Sequence, residues 1–182
     1  MKPVYKLCKT EQSARRQREL ELGLLEAMKS QQYEDISISD LCDRMAIPRK
    51  SFYRYFSNKD GALMALLDHS LMEFDQNRDG GDLELFFQFW YERRDLLEAL
   101  MRSRLSGMLV DRATRHAVHE RMMPGYLIQK DSQTQHMAMT FAVCGLLSMV
   151  MQWQQNSYQE TPEQMAHIAN MMLTKPLVSV GK

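Results

Sequence analysis

Residues 37–63 read "SISDLCDRMAIPRKSFYRYFSNKDGAL", and two short helices can be read out of them. Ser37 is a good N-cap, and Ile38, Leu41, Cys42 and Met45 follow at i, i+3, i+4 and i+7. Asp40 stands three residues after Ser37, an approximate capping box. Pro48 disfavours helical geometry at Ile47, so the first helix ends near Met45. Pro48 is itself well placed as the first residue of a second helix holding Arg49 to Tyr55. Phe52 and Phe56 lie four apart and point inward together, which leaves Arg49, Lys50, Ser51 and Arg54 outside. Tyr53 sits one step round from Phe52, where its hydroxyl can meet a phosphate. Two two-turn helices joined by a tight turn at Met45–Ala46–Ile47 form a helix-turn-helix signature. In such a pair the second helix fits the DNA major groove and the first crosses the backbone.

Lys59 begins the next helix, where its ammonium and the free backbone N–H groups would make a joint anion site. Ser37 is placed for the same task. The charge pattern agrees. The chain has 182 residues and zero formal net charge, but residues 1–60 carry twelve Lys/Arg against nine Asp/Glu. Within that part, residues 1–18 hold six basic against one acidic, and residues 44–59 hold five against none. A basic patch at one end of a neutral chain points to a polyanion there.

Outward from this stretch the 3.6-residue period continues nearly everywhere, so the chain is expected to be all-α. One helix precedes the motif, from about Glu11 to Gln31, with Leu20, Leu24, Ala27 and Met28 on its apolar stripe. Ser57 or Asn58 caps a longer helix to about Gln76, buried through Leu63, Leu66, Leu67, Ser70, Leu71 and Phe74. Asn77–Asp82 is the clearest break. Asp82 caps a helix carrying Leu83, Phe86, Phe87 and Trp90, residues 93–123 form one or two more, and 123–132 is a loop. A long helix from Gln135 to Gln154 is apolar almost all round. Thr161, Pro162 and Gln164 start the last helix, and Lys175 with Pro176 marks its end. The expected organisation is an N-terminal helix-turn-helix three-helix DNA-binding domain over 1–60 and a larger helical ligand-binding and dimerisation domain over 61–182.

The motif at Ser37–Leu63 resembles the DNA-binding motif of TetR-type transcriptional regulators. The shared pattern is a hydroxyl cap, an apolar pair, a tight turn, a short helix ending Tyr-x-x-Phe, and x-x-Lys-acid before Leu. The resemblance covers roughly residues 18–67, and "CGLLSMVMQWQQNSYQETPEQMAHIANMML" resembles the family's last two helices. It implies DNA contacts at Ser37, Arg49, Ser51, Tyr53 and Lys59, with Arg54 and Tyr55 as further candidates. Three positions depart from the family's pattern. Ala46 replaces a frequent turn glycine, and if φ is positive there alanine costs on the order of 1 kcal/mol. Pro48 replaces a hydroxyl residue. Lys50 replaces a small residue and adds a long cation beside the base edges. The family also implies a small-molecule pocket in the C-terminal domain whose occupation changes the spacing of two DNA heads.

One recognition helix touches few base pairs, so the mechanism needs a dimer. Ala138, Ala142 and Gly145 allow close helix approach, Met149 and Trp153 continue that line, and Met165, Ile168 and Met172 complete a four-helix interface across a two-fold axis. The other reading of these residues is a buried monomer core. Sixteen methionines suit an adaptable interior, and Phe86, Phe89, Trp90, Met101, Met108 and Phe141 are candidate pocket residues or plain core. His116 and His119 have metal-compatible spacing but no third ligand. No nucleophile–base spacing or Gly-rich phosphate loop appears, so no enzyme and no cofactor are expected. Mean hydropathy is −0.44, no apolar run approaches the ~20 residues of a membrane helix, and no signal-peptide core is present. The three scattered cysteines fit a reduced cytoplasmic protein. The expected function is a homodimeric regulator, a repressor, that binds a palindromic operator under small-molecule control. The alternative is an all-helical interaction or ligand-binding protein whose helix-turn-helix no longer binds DNA.

Overall fold

Thr10 opens the first helix. In this computed structural model, which describes Tyr5, Cys8 and residues 10–76, 82–119 and 132–174, its hydroxyl accepts the Ser13 N–H at 3.2 Å. Helix α1 then runs Glu11–Ser30, and Leu20, Leu24, Ala27 and Met28 are all buried along its 3.6-residue stripe. The helices α2 (Ile38–Arg44), α3 (Arg49–Tyr53), α4 (Lys59–Gln76), α5 (Leu83–Glu92), α6 (Arg94–Arg102), α7 (Ser106–His119), α8 (Ser132–Gln155) and α9 (Pro162–Thr174) follow. Among the described residues there is no strand, only an isolated antiparallel bridge between Tyr5 and Phe56. The chain is all-α.

Local signals explain where the helices start and stop. Ser37 Oγ accepts the Asp40 N–H at 3.0 Å, Asn58 Oδ1 accepts that of Gly61 at 2.8 Å, and Asp82 Oδ1 accepts that of Glu84 at 2.8 Å. Thr161 and Gln164 form a reciprocal box, each backbone N–H meeting the other's side-chain oxygen at 3.2 and 2.8 Å. Residues 94–119 resolve into two helices because Arg104 takes φ 56° and Leu105 N–H returns to the Leu100 carbonyl at 2.7 Å. α3 is shorter than expected. Pro48 is its N-cap at φ −65° and ψ 140°, and the helix stops at Tyr53. Apart from Asp82 and from Ser132, which begins α8, the break expected at Asn77–Asp82 and the loop expected at 123–132 lie outside the described residues, as does the end expected at Lys175–Pro176.

The chain divides into two compact units. The first is Met1–Met72 with Glu98–Arg112, and the boundary expected at 60/61 falls inside the first turn of α4. Its core gathers Leu20, Leu24, Met28, Leu41, Phe52, Phe56, Leu63, Leu66 and Leu109. Arg102 donates to the Met28 carbonyl at 3.4 Å and to that of Lys29, closing the C-terminus of α1. Glu21 is fully buried on α1 and is held by Gln17 Nε2 at 3.1 Å, Arg18 Nη1 at 3.2 Å and His69 Nδ1 at 2.7 Å. Three partners make that burial tolerable.

The second unit is Glu73–Leu97 with Ala113–Lys182. There α5 packs on α9, and α8 packs on α9. Trp153 fills the centre, edge-on to Phe87 and stacked on Tyr91 with centroids 5.9 and 5.6 Å away, and its Nε1 donates to the Glu160 carbonyl at 3.0 Å. The segment Gln133–Gln155 has the length and mean hydropathy, 1.3, of a membrane span. It reaches that average without a continuous apolar run, because Gln, Thr and Ser interrupt it while Asp, Glu, Lys and Arg are absent.

Candidate nucleic-acid interface

The turn between α2 and α3 is a Schellman closure. Ala46 N–H reaches the Asp43 carbonyl at 3.1 Å, and Ile47 N–H reaches that of Cys42 at 2.9 Å. Ala46 sits at the left-handed position of that motif with φ 51°, the residue glycine normally fills. The side of the turn facing α1 is tight: a Cβ on Gly23 would stand 2.4 Å from Met45 Sδ.

Phe52 and Phe56 anchor α3. Both are buried, with ring centroids 5.3 Å apart. Tyr55, another of the expected contacts, is buried beside Phe56 and turned inward. The opposite side of α3 stands in solvent. Arg49, Lys50, Tyr53 and Arg54 are exposed there, and Ser51 is half-buried. Arg49 Nη2 lies 3.5 Å from Tyr53 Oη, with the guanidinium 6.0 Å from that ring's centroid. Tyr53 meets Phe52 edge-on at 5.8 Å, so the core indirectly orients Arg49. Lys50 has no partner among the described residues. Ser37 is exposed, but its hydroxyl is engaged on its own helix, donating to Asp40 Oδ2 at 2.7 Å.

Lys59 begins α4 as expected, and its ammonium is engaged by the protein itself. Its ammonium donates to the carbonyls of Tyr33, Glu34 and Ile36, at 3.3 Å for Glu34 and 2.7 Å for Ile36, and lies 4.2 Å from the centroid of the Tyr33 ring. It pins the link between α1 and α2. Burial pulls its pKa below the usual lysine value, with Asp60, Glu34 and Asp35 opposing. Tyr33 in turn donates to Asp60 Oδ1 at 2.6 Å.

Sequence reading did not single out Arg15 and Arg16. With Glu19, Arg54 and Tyr55 they border an open polar groove of about 490 Å³. Glu19 pairs with both arginines, at 3.7 and 2.7 Å. The signal was present in the basic run before Glu19, but the face it occupies depends on the packing of α1. The same segment is strapped down further back. Tyr5 pairs with Phe56 through the backbone, and its hydroxyl donates to Asp68 Oδ2 at 2.5 Å, where Arg112 also binds. Burial, and then the Asp68 bond, push the Tyr5 phenol pKa well up.

The residues expected at a dimer interface separate. Ala142, Trp153 and Met165 are buried within the second unit, and Ala138, Met149 and Ile168 are half-buried. Gly145 and Met172 stand in solvent, as do Met137 at 65% and Phe141 at 68%. An apolar helix has no sequence-level marker for its outer side, so the sequence alone allows Trp153 either at a dimer interface or in a monomer core. The candidate pocket residues separate too. Phe89 and Trp90 are buried and edge-on at 5.3 Å, Phe86 packs against Phe74 at 5.7 Å, and Phe141 points to solvent. Met101 and Met108 belong to the first unit. His116 Nε2 contacts Asp75 Oδ2, while the His119 side chain lies outside the described residues.

Residues 82–175, just over half of the chain, match the TetR C-terminal family described as "Transcriptional regulator C-terminal region". The chain belongs to the TetR family of transcriptional regulators. Solved structures agree on the fold. A putative TetR-family regulator from Syntrophomonas wolfei is 14% identical over 92% of this chain and 99% of that one, with a TM-score of 0.65. The dihydroxyacetone kinase operon activator DhaS is 16% identical over 87% and 93%, with a TM-score of 0.56. The TetR family repressor AlkX from a Dietzia strain is 17% identical over 86% and 92%, with a TM-score of 0.52. No curated protein sequence matches the chain. As a TetR-family member the chain is a transcriptional regulator, and the match covers the C-terminal part that the motif at Ser37–Leu63 leaves out.

Proposed function

We propose that this TetR-family chain is a cytoplasmic homodimer that binds a palindromic operator and represses by occupying it. The observation that carries the reading is the two-sided α3: Phe52 is fully buried, while Arg49, Lys50, Tyr53 and Arg54 stand in solvent. A five-residue helix so anchored presents cations and hydroxyls to a major groove. Arg15 and Arg16 add charge for flanking phosphates. Ser37 and Lys59 act structurally in this reading, as helix cap and loop clamp.

The dimer forms through the solvent face of α8, where Met137, Phe141 and Gly145 recur at four-residue steps, together with Met172 of α9. Met137, Phe141 and Met172 are too large and too exposed to be left in water by chance. Gly145 has nothing within 4 Å of a built Cβ, so a partner helix can approach closely there. A small-molecule effector is held in the second unit, whose aromatic and methionine interior suits an apolar ligand. Duplex enriched from a random pool by the purified protein tests the reading. Native mass spectrometry is expected to find two protomers on one duplex. One protomer per duplex, or no enriched duplex at all, refutes it.

A further inference from the structure

The exposed side of α3 is notable for the polar groups it lacks. From Met45 to Ser57 the chain has no Asp, Glu, Asn or Gln. The nearest carboxamide, Asn58, is engaged in capping Gly61. The nearest upstream carboxylate, Asp43, lies on α2. Every charged group this helix offers is therefore a donor. Arg49 and Lys50 occupy its first turn, the part of a recognition helix that meets base edges.

The two long cations of this surface can only donate, while the Ser51 and Tyr53 hydroxyls can also accept. Arg49 and Lys50 must therefore find acceptors. Thymine offers a single one, O4, beside its methyl group. Guanine shows two adjacent acceptors in the major groove, N7 and O6. Adenine places its N6 donor beside N7, which repels a second cationic N–H, and is normally matched by Asn or Gln. Cytosine shows a donor and needs a carboxylate. From this we infer that Arg49 and Lys50 each take a guanine, so that every half-site of the operator carries guanines at two neighbouring base pairs. The inference rests on the DNA-binding reading above and specifies its ligand.

The two residues differ in how firmly they are held. Arg49 lies against the Tyr53 ring and hydroxyl, and Tyr53 is edge-on to buried Phe52. That contact restricts its conformations before DNA arrives. Lys50 is a long side chain without a partner among the described residues. Arg49 is accordingly the stricter reader, and Tyr53 is its positioning residue.

The test uses the duplex enriched from the random pool, with guanine N7 methylation interference as the readout. Methylation at two neighbouring guanines per half-site is expected to block wild-type binding. Arg49→Ala and Lys50→Ala, both at exposed positions, are each expected to lose discrimination at one of those guanines by about 5- to 150-fold. Arg49→Lys keeps the charge and the salt slope but relaxes the base choice, and Tyr53→Ala relaxes the Arg49 position alone. An enriched palindrome without paired guanines, or interference confined to other bases, overturns the inference and leaves DNA binding intact. Failure to enrich any sequence overturns the DNA-binding reading and this inference with it.

Discussion

Replacing Lys59 by methionine keeps a long apolar stem and removes the ammonium. The structure gives that ammonium three carbonyls, those of Tyr33, Glu34 and Ile36, and the face of Tyr33. A hydrogen bond to a charged group contributes roughly 1.5–3 kcal/mol net. The three share one donor group, and the Glu34 contact is exposed at 3.3 Å, so they do not add. A cation over an aromatic face contributes about 0.5–1 kcal/mol at a site of this exposure. Burial costs the ammonium part of this, as its lowered pKa records. The net loss expected is about 2–3 kcal/mol, or a fall in Tm of roughly 4–12 °C for a chain of this size. Urea and thermal unfolding followed by far-UV circular dichroism measure it. On the folded variant the salt dependence of duplex binding is expected to match wild type. An unchanged stability with a log–log salt slope reduced by about one unit refutes the reasoning, because it places the ammonium on a phosphate.

Ala46→Gly relieves a left-handed alanine at φ 51°, and after the larger unfolded-state entropy of glycine it is expected to stabilise by about 0.5–1 kcal/mol, read by urea unfolding. Tyr5 and Tyr33 both have phenol pKa values raised by burial first and then by bonds to Asp68 and Asp60. Their folded values lie above the unfolded value of 10.0, so their contribution is complete below pH 10 and is lost as pH rises beyond it. Tyr5→Phe and Tyr33→Phe should each flatten the decline of stability above pH 10 in urea titrations. Phe141→Glu and Gly145→Leu alter solvent positions of α8, so both are expected to leave circular dichroism intact while shifting sedimentation from dimer to monomer. Retention of the dimer in both removes the α8 interface.

Helix starts were legible because caps are local. Ser37, Asn58, Asp82 and Thr161 each find their partner within three residues. The buried sides of α1, α3 and α4 were legible because apolar residues there recur at helical spacing against polar ones. Lys59 shows the converse. Its partners lie 23 to 26 residues back, in a link whose carbonyls are freed only when α1 ends at Ser30. Glu21 was likewise passed over, since a carboxylate on an apolar stripe makes sense only once His69 is brought beside it. On α8 the sequence is apolar on all sides, so packing alone sends Trp153 inward and Phe141 outward.

The central claim is that the solvent side of α3 engages a duplex. Its most direct measure is the affinity of the wild-type protein and of Arg49→Ala/Lys50→Ala for a random-sequence duplex across a range of salt. A random-sequence duplex lacks the matched guanines, so Arg49 and Lys50 meet phosphates on it. Log K is expected to fall steeply and linearly with log salt for wild type, with the slope of the double variant shallower by about two units. Salt-independent binding, or equal slopes for the two proteins, contradicts it.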